Sequence, residues 1–433
     1  MGNGIRRKEN DGSGGRETIG LGNQRNEDGV TKPIEKTTSE RQILSGLLGL
    51  GLLILSACGG GSSSSGPPPP LPNGQTGSLV APVNSSPANC YISDTAACSS
   101  TSTSGPVGAN AITALAAATF GTSTNVLYWG DGGGNLYFSS SSHTTTPPTI
   151  SSSSNKCTVA PSASIQSLAV VPSSPSPLLF YATSGGVYEG ALTASTGACT
   201  SFSSSLIPSS LTGALAYSNG LIVGVTAGAQ YFTCTTTSPI SCTPRGTLPS
   251  LVDTSPQITA IGADPQYAIV YVLAIGVNTS RVYFYQVGTN GVLNPIGNYT
   301  GTELINPSAI ALFVGKTGTS NFCTLGPCTF MDVANAGNTT VTQYVLTYSG
   351  PSTGTPTGVS INQFNNAYYN CDLINPSAIA AFPLPGSSGT LNTPEVFVGE
   401  NGLSSASSSG PPCFGLSSGS FGNNITAYNV KNE

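Results

Sequence analysis

An all-β fold built from repeated small sheets is what this chain of 433 residues predicts, on three observations. The octapeptide LINPSAIA occurs twice, at 304–311 and at 373–380, and exact repetition of that length marks a modular architecture. Runs rich in β-branched and aromatic residues recur in sets of three between turn-forming residues, which is strand chemistry. Outside one apolar run near the N-terminus, no long segment carries the 3.6-residue periodicity of a helix.

The elements follow in order. Four degenerate relatives of the octapeptide lie upstream of it: AITALAAA (111–118), SIQSLAVVP (164–172), GALAYS (213–218) and ITAIGADP (258–265). With the two octapeptides they predict six first strands of small residues. Each is followed by a fuller run: NVLYWG (125–130), LLFYAT (178–183), LIVGVT (221–226), IVYVLA (269–274), TFMDVA (329–334) and EVFVGE (395–400). A third strand follows across a Gly/Asn/Ser turn, at NLYFS (135–139), GVYEGAL (186–192), AQYFTC (229–234), RVYFYQV (281–287), VTQYVLT (341–347) and NITAYNV (424–430). CTPRGTL (242–248) and VLNPIGNY (292–299) read as weaker fourth strands.

Four short strands recurring every several tens of residues describe a β-propeller. Small residues suit the innermost strand, where sheets crowd at the axis. The prediction is six or seven four-stranded blades in a domain spanning 88–433. Because the last repeat ends at Val430, residues within 88–110 are expected to supply its fourth strand. The stretches NPSAIAL…FMDVANAGNTTVTQYVLTYSG (306–350) and IVYVLAIGVNTSRVYFYQVGTNGVLNPIGNYTG (269–301) resemble the lactonase-like, YVTN-type propellers. These are scaffold motifs, so the resemblance implies a fold and little about activity.

Charge excludes one class of partner. Only 7% of residues are charged, against about 25% in typical soluble domains. After Cys58 the basic residues are Lys156, Arg245, Arg281, Lys316 and Lys431, scattered along the chain. A phosphate-binding surface needs them clustered, so nucleic acid is not an expected partner.

The apolar run ILSGLLGLGLLILSA (43–57) is too short to span a bilayer and fits the apolar region of a secretory signal. Its end, Leu55-Ser56-Ala57-Cys58, resembles the lipobox of bacterial lipoprotein signal peptides. The resemblance implies cleavage before Cys58, a diacylglycerol thioether on its sulfur and a palmitate-class acyl chain on the new amino terminus. More than one chain gives stable anchoring. The region preceding the run is long for a signal and reads as disordered, and Val30 is a candidate start encoded by GTG. Gly59, where inner-membrane retention signals carry Asp, implies the outer membrane. The predicted organisation is therefore 1–57 as N-terminal extension and signal peptide, 58–87 as a Gly/Ser/Pro linker, and 88–433 as the propeller.

Removing Cys58 leaves ten cysteines, Cys90, Cys98, Cys157, Cys199, Cys234, Cys242, Cys323, Cys328, Cys371 and Cys413. An even number in an exported chain implies disulfides. Ten cysteines permit many pairings. Sequential pairs are the expectation from local geometry, Cys234–Cys242 bracketing a hairpin and Cys90–Cys98 repeating its spacing. Cys157–Cys199, Cys323–Cys328 and Cys371–Cys413 complete the set.

Chemistry is sparse. The one histidine, His143, lies in SSSSHTTTPP and reads as a solvated loop residue. GDGGGN (130–135) lacks the lysine of a phosphate loop and the carboxylate series of a calcium loop, and reads as a turn. NQFNNAYYNC (362–371) joins aromatic rings to amides, a combination suited to saccharides. It makes Phe364, Tyr368 and Tyr369 candidate glycan contacts, against the plainer reading of a loop pinned at Cys371. No catalytic, cofactor or metal residues are assigned and no cofactor is implied. The expectation is a monomeric, lipid-anchored envelope propeller that binds a protein or glycan without catalysis. The alternatives are a lactonase-type hydrolase of sugar lactones and a purely structural surface lipoprotein.

Overall fold

The computed structural model describes residues 79–82, 110–121, 124–142, 155–159, 163–172, 176–202, 207–208, 213–314, 329–337, 340–350, 356–369, 375–382, 395–400 and 425–431. The chain divides into two units, 1–64 and 65–433, and every described residue belongs to the second. All regular elements among the described residues are strands, and none of these residues forms a helix long and apolar enough to cross a membrane.

A short strand, β1 (Leu79–Pro82), comes first. Blade one is β2 (Ile112–Phe120), β3 (Thr124–Asp131), β4 (Leu136–Ser142) and β5 (Asn155–Cys157). Blade two is β6 (Ile165–Val171), β7 (Leu178–Thr183) and β8 (Gly186–Leu192), with β9 (Cys199–Phe202) and β10 (Ile207–Pro208) both paired to β8. Blade three is β11 (Ala214–Ser218), β12 (Leu221–Val225), β13 (Gln230–Thr235) and β14 (Cys242–Thr247). Blade four is β15 (Gln257–Ala263), β16 (Ile269–Ile275), β17 (Ser280–Val287) and β18 (Leu293–Tyr299). Blade five is β19 (Pro307–Val314), β20 (Thr329–Asn335), β21 (Thr340–Ser349) and β22 (Gly358–Tyr369). The remaining strands, β23 (Pro376–Ala381), β24 (Glu395–Glu400) and β25 (Ile425–Lys431), join β1 in a sheet ordered β1-β25-β24-β23.

Two expectations are corrected here. Where the sequence reading counts six or seven blades, five are complete from strands consecutive in sequence, and one further sheet is composite. The closing strand comes from Leu79–Pro82, within the segment read as linker, and not from 88–110. LVAP is short and flanked by Ser, Gly and Pro, so composition conceals a strand that exists only through its partner, β25.

The first strands β2, β6, β11, β15, β19 and β23 touch in that cyclic order, and β23 returns to β2. They are small-residue strands because their neighbours approach on both sides. Second strands are the most apolar: every residue of LLFYAT in β7 is buried. A strand covered on both faces reads as a continuous apolar run rather than an alternating one. Outer strands face solvent, and CTPRGT in β14 is exposed along most of its length.

Apolar layers fill the spaces between neighbouring sheets. Phe120, Tyr128, Leu168 and Tyr181 pack between blades one and two. Tyr271, Phe284, Met331 and Tyr344 pack between four and five, and Trp129, Leu127, Phe382 and Phe397 between one and the composite sheet. Burying such a side chain stabilises the ring by roughly 1.5–3 kcal/mol.

Two of the expected disulfides fall on described residues, and both form. Cys234 and Cys242 are register partners on β13 and β14. Cys157 on β5 and Cys199 on β9 are joined with their Cα atoms 5.6 Å apart, tying the rim of blade one to that of blade two. Replacing both Cys157 and Cys199 by alanine is expected to lower unfolding free energy by about 3 kcal/mol. Urea denaturation read by tyrosine fluorescence checks it, and a smaller loss is expected for Cys234 and Cys242, which close a shorter loop.

Candidate functional site

In these up-and-down blades the connection into each first strand lies on the same face as the turn between second and third strands. The first strands run parallel around the channel, their leading residues side by side. Thr113 at the start of β2 donates its hydroxyl to the carbonyl of Ile165 at the start of β6. Ser308 of β19 donates to Pro376 O of β23, and Ser377 of β23 donates to Ile112 O of β2. The last bond closes the ring at the axis, as β1 does at the rim. The leading residues of the first strands and their hydroxyls define this as the mouth face of the ring.

The hydroxyls are placed by a backbone device. Register slips by one residue between Ile112 and Ala114, Ile165 and Ser167, Ile258 and Ala260, Pro307 and Ala309, and Pro376 and Ala378. Each slip leaves one extra residue, Thr113, Gln166, Thr259, Ser308 or Ser377. A β-bulge re-aims its side chain and sharpens the twist, here turning the hydroxyls of Thr113, Ser308 and Ser377 toward the adjoining blade, whereas Gln166 carries an amide and the buried Thr259 hydroxyl has no hydrogen-bond partner. Blade three shows no slip between β11 and β12, and Gly213 precedes β11 where a Cβ would lie 2.0 Å from Val225 O. In blade two the neighbouring Ser167 accepts from Leu215 N at 2.8 Å, again linking two blades. Ser377→Ala is expected to cost about 1 kcal/mol and Ser377→Thr much less, because Thr113 already makes the equivalent bond. Thermal melting of the two variants checks it.

A second polar set caps the turns at the same face. Asp131 is buried at the end of β3, and its Oδ1 accepts from Gly133 N (2.9 Å) and Asn135 N (2.8 Å). GDGGGN is thus a turn, as its composition predicts. The equivalent ends of β7 and β12 carry Thr183, accepting from Gly185 N at 3.0 Å, and Thr226, accepting from Gln230 N at 3.1 Å. Asn335, buried at the end of β20, accepts from Ile305 N at 3.2 Å, holding the connection from blade four to blade five.

The carboxylates at this face are also bound to protein. Asp253 Oδ2 pairs with Arg281 Nε at 3.1 Å and accepts from the Tyr283 hydroxyl at 2.9 Å. Glu303 Oε1 accepts from the Tyr299 and Tyr344 hydroxyls at 2.8 and 3.0 Å. At the opposite face Asp264 accepts from Tyr271 at 3.0 Å and from Tyr348, joining blades four and five. Burial holds its carboxyl above the usual range, although the bonds from Tyr348, Gln266, Tyr271 and Tyr267 oppose the shift. Burial likewise raises Glu189. Asp253, Glu303 and Asp264 stabilise loops and blade contacts, whereas Glu189 Oε2 is buried with no hydrogen-bond partner.

The channel wall is neutral. Sequences ITALAAATF, IQSLAVV, ALAYS, QITAIGA, PSAIALFV and PSAIAA hold no carboxylate, amine, guanidinium, imidazole or thiol. Among the described residues no group of three or more His, Cys, Asp or Glu side chains is placed to hold a metal ion.

Cys58, Cys90, Cys98, Cys323, Cys328, Cys371, Cys413 and His143 lie outside the described residues. The segment containing Phe364, Tyr368 and Tyr369 corrects an expectation. It is the outer strand β22, not a loop, with Tyr368 opposite Val341 and Tyr369 opposite Thr340. Its positions of the three aromatic side chains are outside the described residues. The bulge hydroxyls escaped the sequence reading, which attributed the recurring segment to crowding alone. Aligning I-T-A-L-A, I-Q-S-L-A, I-T-A-I-G and P-S-A-I-A reveals them, because each carries Thr, Ser or Gln at the second place.

The fold defines an all-β propeller. No protein-family model matches the chain, and no curated protein matches it. Among solved structures it is similar to AofleA from Arthrobotrys oligospora, with a TM-score of 0.41 and 13% identity over 67% of this chain and 79% of that one. It is also similar to PQQ-bound aldose sugar dehydrogenase from Streptomyces coelicolor (TM-score 0.40, 10% identity, 76% and 97% covered). A third is the propeller domain of Cps50 (Swd1) from Myceliophteria thermophila (TM-score 0.39, 11% identity, 76% and 99% covered). The fold assignment stands on the sheet topology of the chain itself.

Proposed function

We propose that this chain is a lipid-anchored, non-catalytic propeller of the cell envelope that offers its channel mouth to a protein or glycan. The observation that carries the reading is the neutral wall: six first strands without an acid, a base or a thiol. Acid–base or nucleophilic catalysis needs a positioned proton acceptor beside the reacting group. The first-strand hydroxyls of Thr113, Ser308 and Ser377 are instead given to backbone carbonyls. Anchoring rests on the lipobox ending at Cys58 and gives the membrane as one partner; the outer membrane is its address.

The test has two arms. Cells fed an alkyne-bearing palmitate analogue should label the wild-type chain and not Cys58→Ser. The purified acylated chain should retain a protein or glycan from envelope material and leave sugar lactones unhydrolysed. Lactone turnover that survives repurification would replace this reading with the hydrolase one.

A further inference from the structure

The direction in which the chain enters its ring has a geometric consequence. β25 runs from the channel-mouth face to the opposite face, where the hairpins between first and second strands and between third and fourth strands lie. β1 is antiparallel to it, with Leu79 beside Lys431 and Pro82 beside Tyr428. Leu79, the end of β1 nearer Cys58 in sequence, is therefore at the hairpin face, away from the hydroxyls of Thr113, Ser308 and Ser377.

About 20 residues separate Cys58 from Leu79, and they are Gly-, Ser- and Pro-rich. A flexible chain of that length averages roughly 25 Å from end to end. The ring is about as thick, since β17 crosses it with eight residues, about 27 Å at the usual strand rise. A tether of this length lets the ring rest on its hairpin face. Turning the other face to the bilayer would require the tether to run the depth of a blade, about 27 Å, which uses up its average span and leaves none to reach the bilayer.

We infer that the ring is held with its hairpin face toward the membrane and its channel mouth toward the aqueous side. The inference rests on the anchoring at Cys58 proposed above and on the reading of 58–87 as a Gly/Ser/Pro linker. It gives that site a direction: partners reach the mouth from solvent, and the bilayer surface itself is the neighbour of the hairpin face.

Two positions in one blade test it. Val277, 85% exposed, sits in the turn between β16 and β17 at the channel-mouth face. Thr289 is exposed in the hairpin between β17 and β18 at the other. An azide-bearing residue substituted for one or the other takes a donor fluorophore without disturbing the disulfides. The acylated chain is recovered from cells, placed in phosphatidylcholine vesicles with headgroup-labelled acceptor lipid, and energy transfer is measured. A parallel sample couples the Cys58 thiol of the unacylated chain to a maleimide-headgroup lipid. Transfer at least twofold greater from position 289 in both samples is the expected result. Equal transfer, or more from position 277, in the coupled sample overturns the orientation. If Cys58 takes up no fatty acid in cells but the coupled sample keeps the asymmetry, the geometry stands and the anchoring reading alone fails.

Discussion

A chain from which Leu79–Pro82 is deleted should lose about 5 kcal/mol of stability and aggregate. Those four residues pair along β25 from Tyr428 to Lys431. Each ladder bond contributes on the order of 1 kcal/mol net, and the deletion also removes one of the four strands of the last sheet. The larger consequence is exposure. Without β1, the outer edge of β25 presents unpaired amides and carbonyls, a template for pairing with other chains. The composite sheet also carries one wall of two blade interfaces, through Val396 and Val398 toward blade five and Phe397 toward blade one. Urea unfolding and size-exclusion chromatography of the deletion check this, with a deletion of 65–78 as control. If both deletions shift the midpoint equally, Leu79–Pro82 does not close the ring.

The second large effect is a pH dependence centred on Asp332. This residue is 1% exposed on β20, between Ala311 of β19 and Gln343 of β21. Its neighbours along that face are Phe330 and Ala334, which pack toward the composite sheet. One carboxyl oxygen, Oδ1, has no hydrogen-bond partner. Burial pushes the carboxyl up to about 7, and the bond with Gln343 offsets only part of the shift. The folded state therefore binds a proton that the unfolded chain releases near pH 4. Stability must fall as pH rises from about 4 to about 7 and stay low above, because the native state holds more protons across that window. Holding the carboxyl protonated up to about pH 7 instead of about pH 4 corresponds to about 4 kcal/mol. Asp332→Asn should be more stable than wild type at pH 8 and similar to it at pH 4. Burial raises Asp264 and Glu189 in the same direction, so the difference between variant and wild type, rather than the wild-type slope, isolates Asp332. A variant that follows the wild-type curve from pH 4 to 8 would remove Asp332 as the source.

The second and third strands were legible in the sequence because they are long, apolar and bounded by turn residues. β7 begins and ends where LLFYAT does, and β24 where EVFVGE does. The repeated octapeptide located β19 and β23 for the same reason. What escaped was set by partners distant in sequence. LVAP has no strand signature alone and becomes one by lying against β25. The aromatic segment before Cys371 looked like a loop because its asparagines favour turns, yet its tyrosines suit a strand and β21 offers it a long edge. The candidate site was legible in composition, since a wall without ionisable groups can be read strand by strand. The bonds that consume its hydroxyls could not be, because they run to the next repeat.

Pairing of Leu79–Pro82 with Tyr428–Lys431 sets a condition on biogenesis. The two partners lie some 350 residues apart, and contacts so remote in sequence form slowly. The final sheet cannot assemble until the last segment has been synthesised, so the earlier blades must wait with an open flank. Protection by chaperones during that interval would matter more for yield than the stability of the finished molecule.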